Sequence, residues 1–248
     1  MKEILFLGSK PIGFYCLKYL IKQQKKLNYK IVGVLTNDNT KFNQKLSVKK
    51  LAEKNKISII DSLDKIPYCD ILYSVQYHEI LKPKHIKKAK QIALNLHMAP
   101  LPDYRGCNQF SFAILDKAKE FGTTIHQLES GIDNGAILFE DRFHLPKNIF
   151  VKDLYYETER RSVELFQTTL KNIVDEIYNP IPQTKFKNRK QNFHLRSEMN
   201  NIKQIDLSWP KEKIERHIRA TYFPPFEPPY YLMDGKKYYF NLDFEPKI

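Results

Sequence analysis

The chain has 248 residues, 42% of them hydrophobic and 28% charged, which suits one large domain with an appendage or two modest domains. No window offers the ~20 apolar residues of a membrane helix, and Cys16, Cys69 and Cys107 form an odd set without CxxC spacing, so a membrane span, a disulfide framework and a zinc knuckle are not expected and a cytoplasmic setting is. The formal net charge of +13 raises nucleic acid as a partner, but all except 8 of the 41 basic residues are lysine, scattered or in short runs such as KQQKK at 22–26; phosphate and base forks favour arginine, so a solvated lysine surface is the better reading and nucleic acid is not expected.

EILFL at 3–7 is too short for the apolar region of a secretion signal and predicts a first strand. An amphipathic stretch from Pro11 to Gln24 predicts a helix, with the proline at its start where a missing N–H is harmless. KIVGVLT at 30–36 reads as a strand and SVKKLAEKN at 47–55 as a helix. Short strands are expected at 58–60 and 70–75, a lysine-rich helix near 83–90, and a strand at 92–97. Apolar strands alternating with helical stretches predict an α/β fold, a Rossmann-like, mostly parallel sheet with helices on both faces.

GSKPIG at 8–13 is neither the dinucleotide fingerprint nor a phosphate loop, because Phe14 stands where the latter has lysine. The turn still lies at the carboxyl edge of the sheet, where such folds bind ligands. Ser9 and Lys10 could meet a phosphate there, and an ordinary strand–helix turn explains them equally well.

Beyond residue 97, MAPLPDYRGCNQ marks an irregular segment and 111–118 resumes a helix. Strands are expected at 121–129 and 136–145, joined by the turn formers SGIDNG, and a long helix from Val151 to Tyr178. The tail is aromatic and proline-rich. It predicts a short helix capped at Ser208 with Pro210 in its first turn, then a hairpin at 230–240 around Asp234-Gly235.

Asn95 and His97 stand two apart on a predicted strand and so face one side at its end. An amide that can donate to an oxyanion, beside an imidazole that can carry a proton, suits acyl transfer. Each residue alone has a plainer explanation, a structural histidine or a turn-capping asparagine.

ALNLHMAPLPDYRGCNQ followed by GTTIHQLESGIDNGAIL resembles the formyltransferase superfamily. The pattern is Asn-x-His at a strand end, Leu-Pro-x-Tyr-Arg-Gly, Gly-x-Thr-x-His and Asp-x-Gly, met here at Asn95 and His97, 101–106, 122–126 and 133–135. The resemblance covers residues 1–180 as a catalytic domain. It implies N10-formyltetrahydrofolate as donor, a primary amine as acceptor, no metal, and catalysis by Asn95, His97 and Asp133. Glu79, Ile80, Leu81, Glu129, Ser130, Gly131, Ile132 and Asp133 fall on the segments that line the pterin pocket. Ser9, Lys10, Tyr77 and Arg105 are expected to face the acceptor.

The remaining residues, 181–248, are too few for the barrel that follows the catalytic domain of methionyl-tRNA formyltransferases. SWPKEKIERHIRATYFPPFEPPYY instead resembles the corresponding segment of sugar-nucleotide N-formyltransferases, although Glu227-Pro228-Pro229 stands where relatives often have Pro-Gly. That likeness implies an aromatic, Tyr222, stacked on a nucleotide base. It further implies dTDP-4-amino-4,6-dideoxyglucose as acceptor, a role in O-antigen sugar synthesis, and a homodimer through the terminal hairpin. A tRNA-directed enzyme and an inactive folate- or nucleotide-binding relative are the alternatives.

Overall fold

The computed structural model describes residues 1–37 and 46–240. The first hundred residues hold β1 (Lys2–Gly8), α1 (Lys10–Gln23), β2 (Tyr29–Leu35), α2 (Val48–Lys54), β3 (Cys69–Val75), α3 (Pro83–Ile86) and β4 (Ala89–His97). Then come β5 (Tyr104–Gly106), α4 (Gln109–Leu115), β6 (Glu120–Gln127), β7 (Ile137–His144) and α5 (Val151–Val174). The tail holds β8 (Asn192–His194), α6 (Glu198–Lys203), α7 (Lys211–Thr221), β9 (Tyr230–Met233) and β10 (Lys236–Tyr239).

Six strands form one sheet in the order β2-β1-β3-β4-β6-β7. The contiguous β2-β1-β3-β4 portion is parallel, and β6 joins β4 antiparallel. The sheet is therefore mostly parallel, as the alternation of strands and helices predicts. β1 and β3 are buried almost throughout, because strands roofed by crossover helices have no wet face. Tyr73 of β3 and Phe166 of α5 meet in this core with ring centroids 4.7 Å apart, both fully buried.

Local chemistry sets most element ends. The Ser47 hydroxyl accepts the Lys50 N–H and starts α2. The long helix stops at Val174, short of the expected Tyr178, because Glu176 turns left-handed (φ +61°) and Ile177 N–H closes back on Asn172 O. The expected helix at 83–90 is only α3, since Cys69 N–H bonds to Lys88 O and draws 89 onward into the sheet. The expected strand at 58–60 is a single bridge, Ile59 to Val34. Ser208 does not cap α7; its N–H is taken by the Asp206 carboxylate, and the helix begins after Pro210. The hairpin at Asp234-Gly235 is present as expected. α6 and β8 had no sequence signal, being six and three residues long.

The chain divides into two compact units. The first comprises Met1–Arg105, Gly122–Arg142 and Thr158–Asn192 and holds the parallel sheet. The second comprises Gly106–Phe121, Phe143–Glu157 and the chain from Phe193 onward. In it Tyr155 packs against Phe110 and Phe223, α7 lies on α4 and α6, and Ile205 N–H bonds to Tyr230 O. The chain passes between the units within β5, β6, β7, α5 and β8.

The Tyr73–Phe166 contact ties α5 to the sheet. Phe166→Ala should destabilise the chain by roughly 3–5 kcal/mol, the cost of emptying an aromatic site in a close-packed core. Denaturant unfolding, followed by far-UV circular dichroism, reads that loss.

Candidate active site

The site lies in the first unit, where β4 ends and β6 runs back beside it. The antiparallel register sets Asn95 opposite His126 and His97 opposite Thr124. Cross-strand partners approach within side-chain reach, and the Asn95 amide donates to His126 Nε2 at 3.2 Å. His126 Nδ1–H donates to Gln127 O at 2.8 Å, which leaves Nε2 as the acceptor and fixes the Asn95 amide with its nitrogen inward. The second N–H of Asn95 has no partner among the described residues.

His97 is buried, 5% exposed. Its Nε2–H donates to Tyr104 O at 2.8 Å, because a carbonyl can only accept. The neutral ring therefore carries its lone pair on Nδ1. That nitrogen lies 3.6 Å from Asp133 Oδ2, and the other carboxylate oxygen lies 3.6 Å from His126 Nε2. At 3.6 Å neither contact is a formed hydrogen bond. Catalytic contacts are often long before the reacting groups arrive. A proton placed on His97 Nδ1 would face a carboxylate that is itself mostly buried.

Two loops hold these groups. After β4, Thr123 Oγ1 donates to His97 O, while Thr124 Oγ1 donates to Ala99 O and accepts Leu101 N–H. Arg189 donates to Leu101 O and pairs with both oxygens of Glu140 at 2.6 and 2.7 Å. Arg142 pairs with Asp103. Burial alone would lower the Arg142 pKa, but Asp103 and Glu140 outweigh it and hold the guanidinium charged. The second loop carries Asp133 in the left-handed region (φ +50°). Gly135 follows so close to β6 that a Cβ there would lie 2.0 Å from Gln127 O, so the turn needs glycine at that position.

The other expected site residues are spread around the strand ends. Ser9 is buried, and its Oγ accepts Asn37 N–H. Lys10, at φ +61°, donates to the Gln76 side chain at 2.9 Å. Tyr77 donates to Glu79, and burial first, then that carboxylate, raises its pKa. Leu81 packs on a core cluster with Tyr77, while Ile80 is 70% exposed. Glu129, Ser130 and Gly131 are exposed, Ser130 O accepts from Asn134, and Ile132 is 41% exposed. Arg105 is half-buried, with Nε enclosed and unpartnered. Tyr222 belongs to the second unit, where it caps α7 through Ile218 O.

His126 was passed over in the sequence as one element of a motif. Its signal lies in the alternation of GTTIH, which puts Thr124 and His126 on one face; its partnership with Asn95 emerges only with the antiparallel register. Among the described residues no cluster of His, Cys, Asp and Glu could hold a metal, and no helix is long and apolar enough to cross a membrane.

Several known proteins are similar to this chain. GDP-perosamine N-formyltransferase of Brucella melitensis is 29% identical over 170 residues, covering 68% of this chain and 63% of the relative. The chain thus spans under two thirds of that relative's length. The bifunctional polymyxin resistance protein ArnA of Wigglesworthia glossinidia brevipalpis is 30% identical over 90% of this chain and 35% of its own. Among solved structures, WlaRD, a sugar 3N-formyl transferase determined with dTDP and 5-N-formyl-THF, superposes with a TM-score of 0.79 at 25% identity, covering 96% of this chain and 84% of that one. An N-formyltransferase from Helicobacter canadensis shares the fold at a TM-score of 0.78 and 23% identity, over 96% of this chain and 86% of its own. The formyl transferase family model matches residues 2–170, which contain all four of Asn95, His97, His126 and Asp133, and the chain belongs to that family.

Proposed function

We propose that this chain transfers a formyl group from N10-formyltetrahydrofolate to the amine of a nucleotide-linked amino sugar. The observation that carries the reading is the set Asn95, His126, Asp133 and His97, with a spare amide N–H and an imidazole lone pair at one strand end. That set is what acyl transfer to an amine requires.

The residues expected around the donor fit an amphipathic, flat group. Ile80 and Ile132 leave large apolar surfaces exposed within loops otherwise made of polar backbone. Residues 79–81 and 129–133 would hold it, and when bound it supplies the activated one-carbon unit. The chain's own groups do the rest. The second Asn95 N–H stabilises negative charge developing on the formyl oxygen. His97 Nδ1 takes the proton that the attacking amine loses as its new C–N bond forms. It returns that proton to the nitrogen whose C–N bond to the formyl carbon breaks. Asp133 stabilises the imidazolium in between, and Tyr104 O keeps the ring turned with Nδ1 toward the reaction.

For the acceptor we propose dTDP-4-amino-4,6-dideoxyglucose. Support for a nucleotide sugar comes from relatives named for GDP-perosamine and for sugar 3N-formyl transfer in the presence of dTDP, and from the tail with Tyr222 after an amphipathic helix. Lys10, Tyr77 and Arg105 are assigned to the acceptor side and Tyr222 to base stacking. Dimerisation through the hairpin is part of the proposal. Leu232, Met233, Tyr238 and Tyr239 are exposed on it, and so small a ribbon is poorly stable by itself.

Incubation with N10-formyltetrahydrofolate and dTDP-amino sugars should release tetrahydrofolate. His97→Ala and Asp133→Asn should each slow turnover by roughly two to four orders of magnitude. Turnover with charged initiator tRNA and with no sugar nucleotide would overturn the acceptor. Near-normal rates in both variants would sink the mechanism.

Tyr222→Ala should weaken sugar-nucleotide binding by about 1–3 kcal/mol, with the folate KM unchanged. Sedimentation at micromolar concentration should give twice the mass of the 29.5 kDa chain. A monomer there counts against the hairpin interface.

A further inference from the structure

Gln183 lies beyond the stretch that matches the family model, and the acyl-transfer chemistry assigns it no part. It is nonetheless buried, 8% exposed, in a short helical turn of the first unit. Its amide nitrogen donates to Asp133 O at 2.8 Å and to Gly135 O at 2.9 Å. One side chain thus spends both N–H groups on the two carbonyls that bracket the end of the catalytic turn. The orientation of the amide is fixed by this pairing. A flipped group would set Oε1 against two carbonyl oxygens, while Nε2 satisfies both. Oε1, on the opposite side, is buried without a partner among the described residues. An orphaned buried acceptor is costly, so the two donated bonds are what keep the amide in place.

The backbone around Gln183 belongs to the same device. Ile137 and Ile181 exchange both backbone hydrogen bonds, at 2.8 and 2.9 Å, just upstream of it. Six residues downstream Arg189 holds Leu101 O on the loop that follows His97. Asp133 itself sits at φ +50°, an uncommon conformation for a non-glycine residue that aspartate tolerates in turns better than most. Restraints on that turn include the Gly135 approach to Gln127, the Asn134 bond to Ser130 O, and Gln183.

We infer that Gln183 is a positioning residue for the reaction. By clamping Asp133 O and Gly135 O it fixes where the Asp133 carboxylate stands relative to His97 Nδ1 and His126 Nε2. The inference rests on the formyl-transfer reading for its effect on rate, but its geometric content does not. Losing the clamp lets the turn relax and the carboxylate withdraw, so His97 loses charge stabilisation without any change in a residue that touches the reacting atoms.

The test is Gln183→Met, which keeps length and apolar volume but removes both donors, alongside Gln183→Glu, which sets acceptor oxygens against the two carbonyls. The ring nitrogen and proton shifts of His97 are read by NMR at one fixed pH in the ligand-free protein, with Asp133→Asn as the reference for a lost carboxylate. Gln183→Met should move those shifts in the direction of Asp133→Asn, while thermal unfolding stays cooperative. With substrates, kcat should fall by about tenfold to a hundredfold, the cost of an ångström-scale misplacement, and KM should hold. If Gln183→Met does not fold, Gln183→Glu carries the same measurement. His97 shifts that move in Asp133→Asn but stay at the wild-type position in the Gln183 variants overturn the inference. Because that readout uses no substrate, a wrong acceptor or donor shows up as absent turnover in the wild type and leaves the NMR result intact.

Discussion

The site depends on one pairing. β6 returns antiparallel to β4 within a sheet whose β2-β1-β3-β4 portion is parallel, and that reversal puts Asn95 against His126 and His97 against Thr124. A parallel neighbour would slant its hydrogen bonds and offset the partners. The reversal gives the asparagine an imidazole for its amide, while Tyr104 O, on the segment after β4, takes the ring N–H of His97 and Gln127 O takes that of His126. The tautomers of both rings follow from these partners, and with them which nitrogen of His97 is available. A one-residue slip would send every side chain of β6 to the opposite face and undo the arrangement at once.

The second constraint is the turn at Asp133. A carboxylate that must face His97 Nδ1 cannot hang from a freely moving loop. Here it is set by a glycine pressed against β6, a left-handed backbone at the aspartate, and amide donors from Asn134 and Gln183. The order arrives from three directions in the chain. Local sequence explains the first two, since turn formers crowd SGIDNG. Of the two donors Asn134 is local as well, and Gln183 comes from fifty residues downstream, where no local rule points back.

That division describes how much could be read from the sequence. The parallel half was legible because β1 and β3 carry apolar runs, β4 carries one from Ile92, and α1 carries a start signal, Pro11. Asn95 and His97 were legible as a pair because strand alternation is a local rule. Asp133 needed the family pattern, since an aspartate before a glycine is an ordinary turn residue. Expectation and structure part where tertiary pairing overrides propensity, as at 83–90, where Ala89 and Lys90 enter the sheet. They part also at Ser208, whose N–H is taken by the Asp206 carboxylate while α7 starts after Pro210. His126 and Gln183 have roles defined by partners 31 and 50 residues away, which no single-sequence pattern encodes.

The Ile181 to Arg189 segment also bears on how such a protein can be recombined. A crossover between two relatives at the end of α5 would look clean, since the formyl-transfer motifs all lie before it. It would nevertheless exchange the residue that grips the Asp133 turn and the arginine that grips Leu101 O. A chimera joined there would inherit catalytic side chains from one parent and their restraint from the other. The workable seam lies after Lys190, whose N–H still answers Asp103. By this measure the half of the chain that carries the site is some twenty residues longer than its motifs suggest.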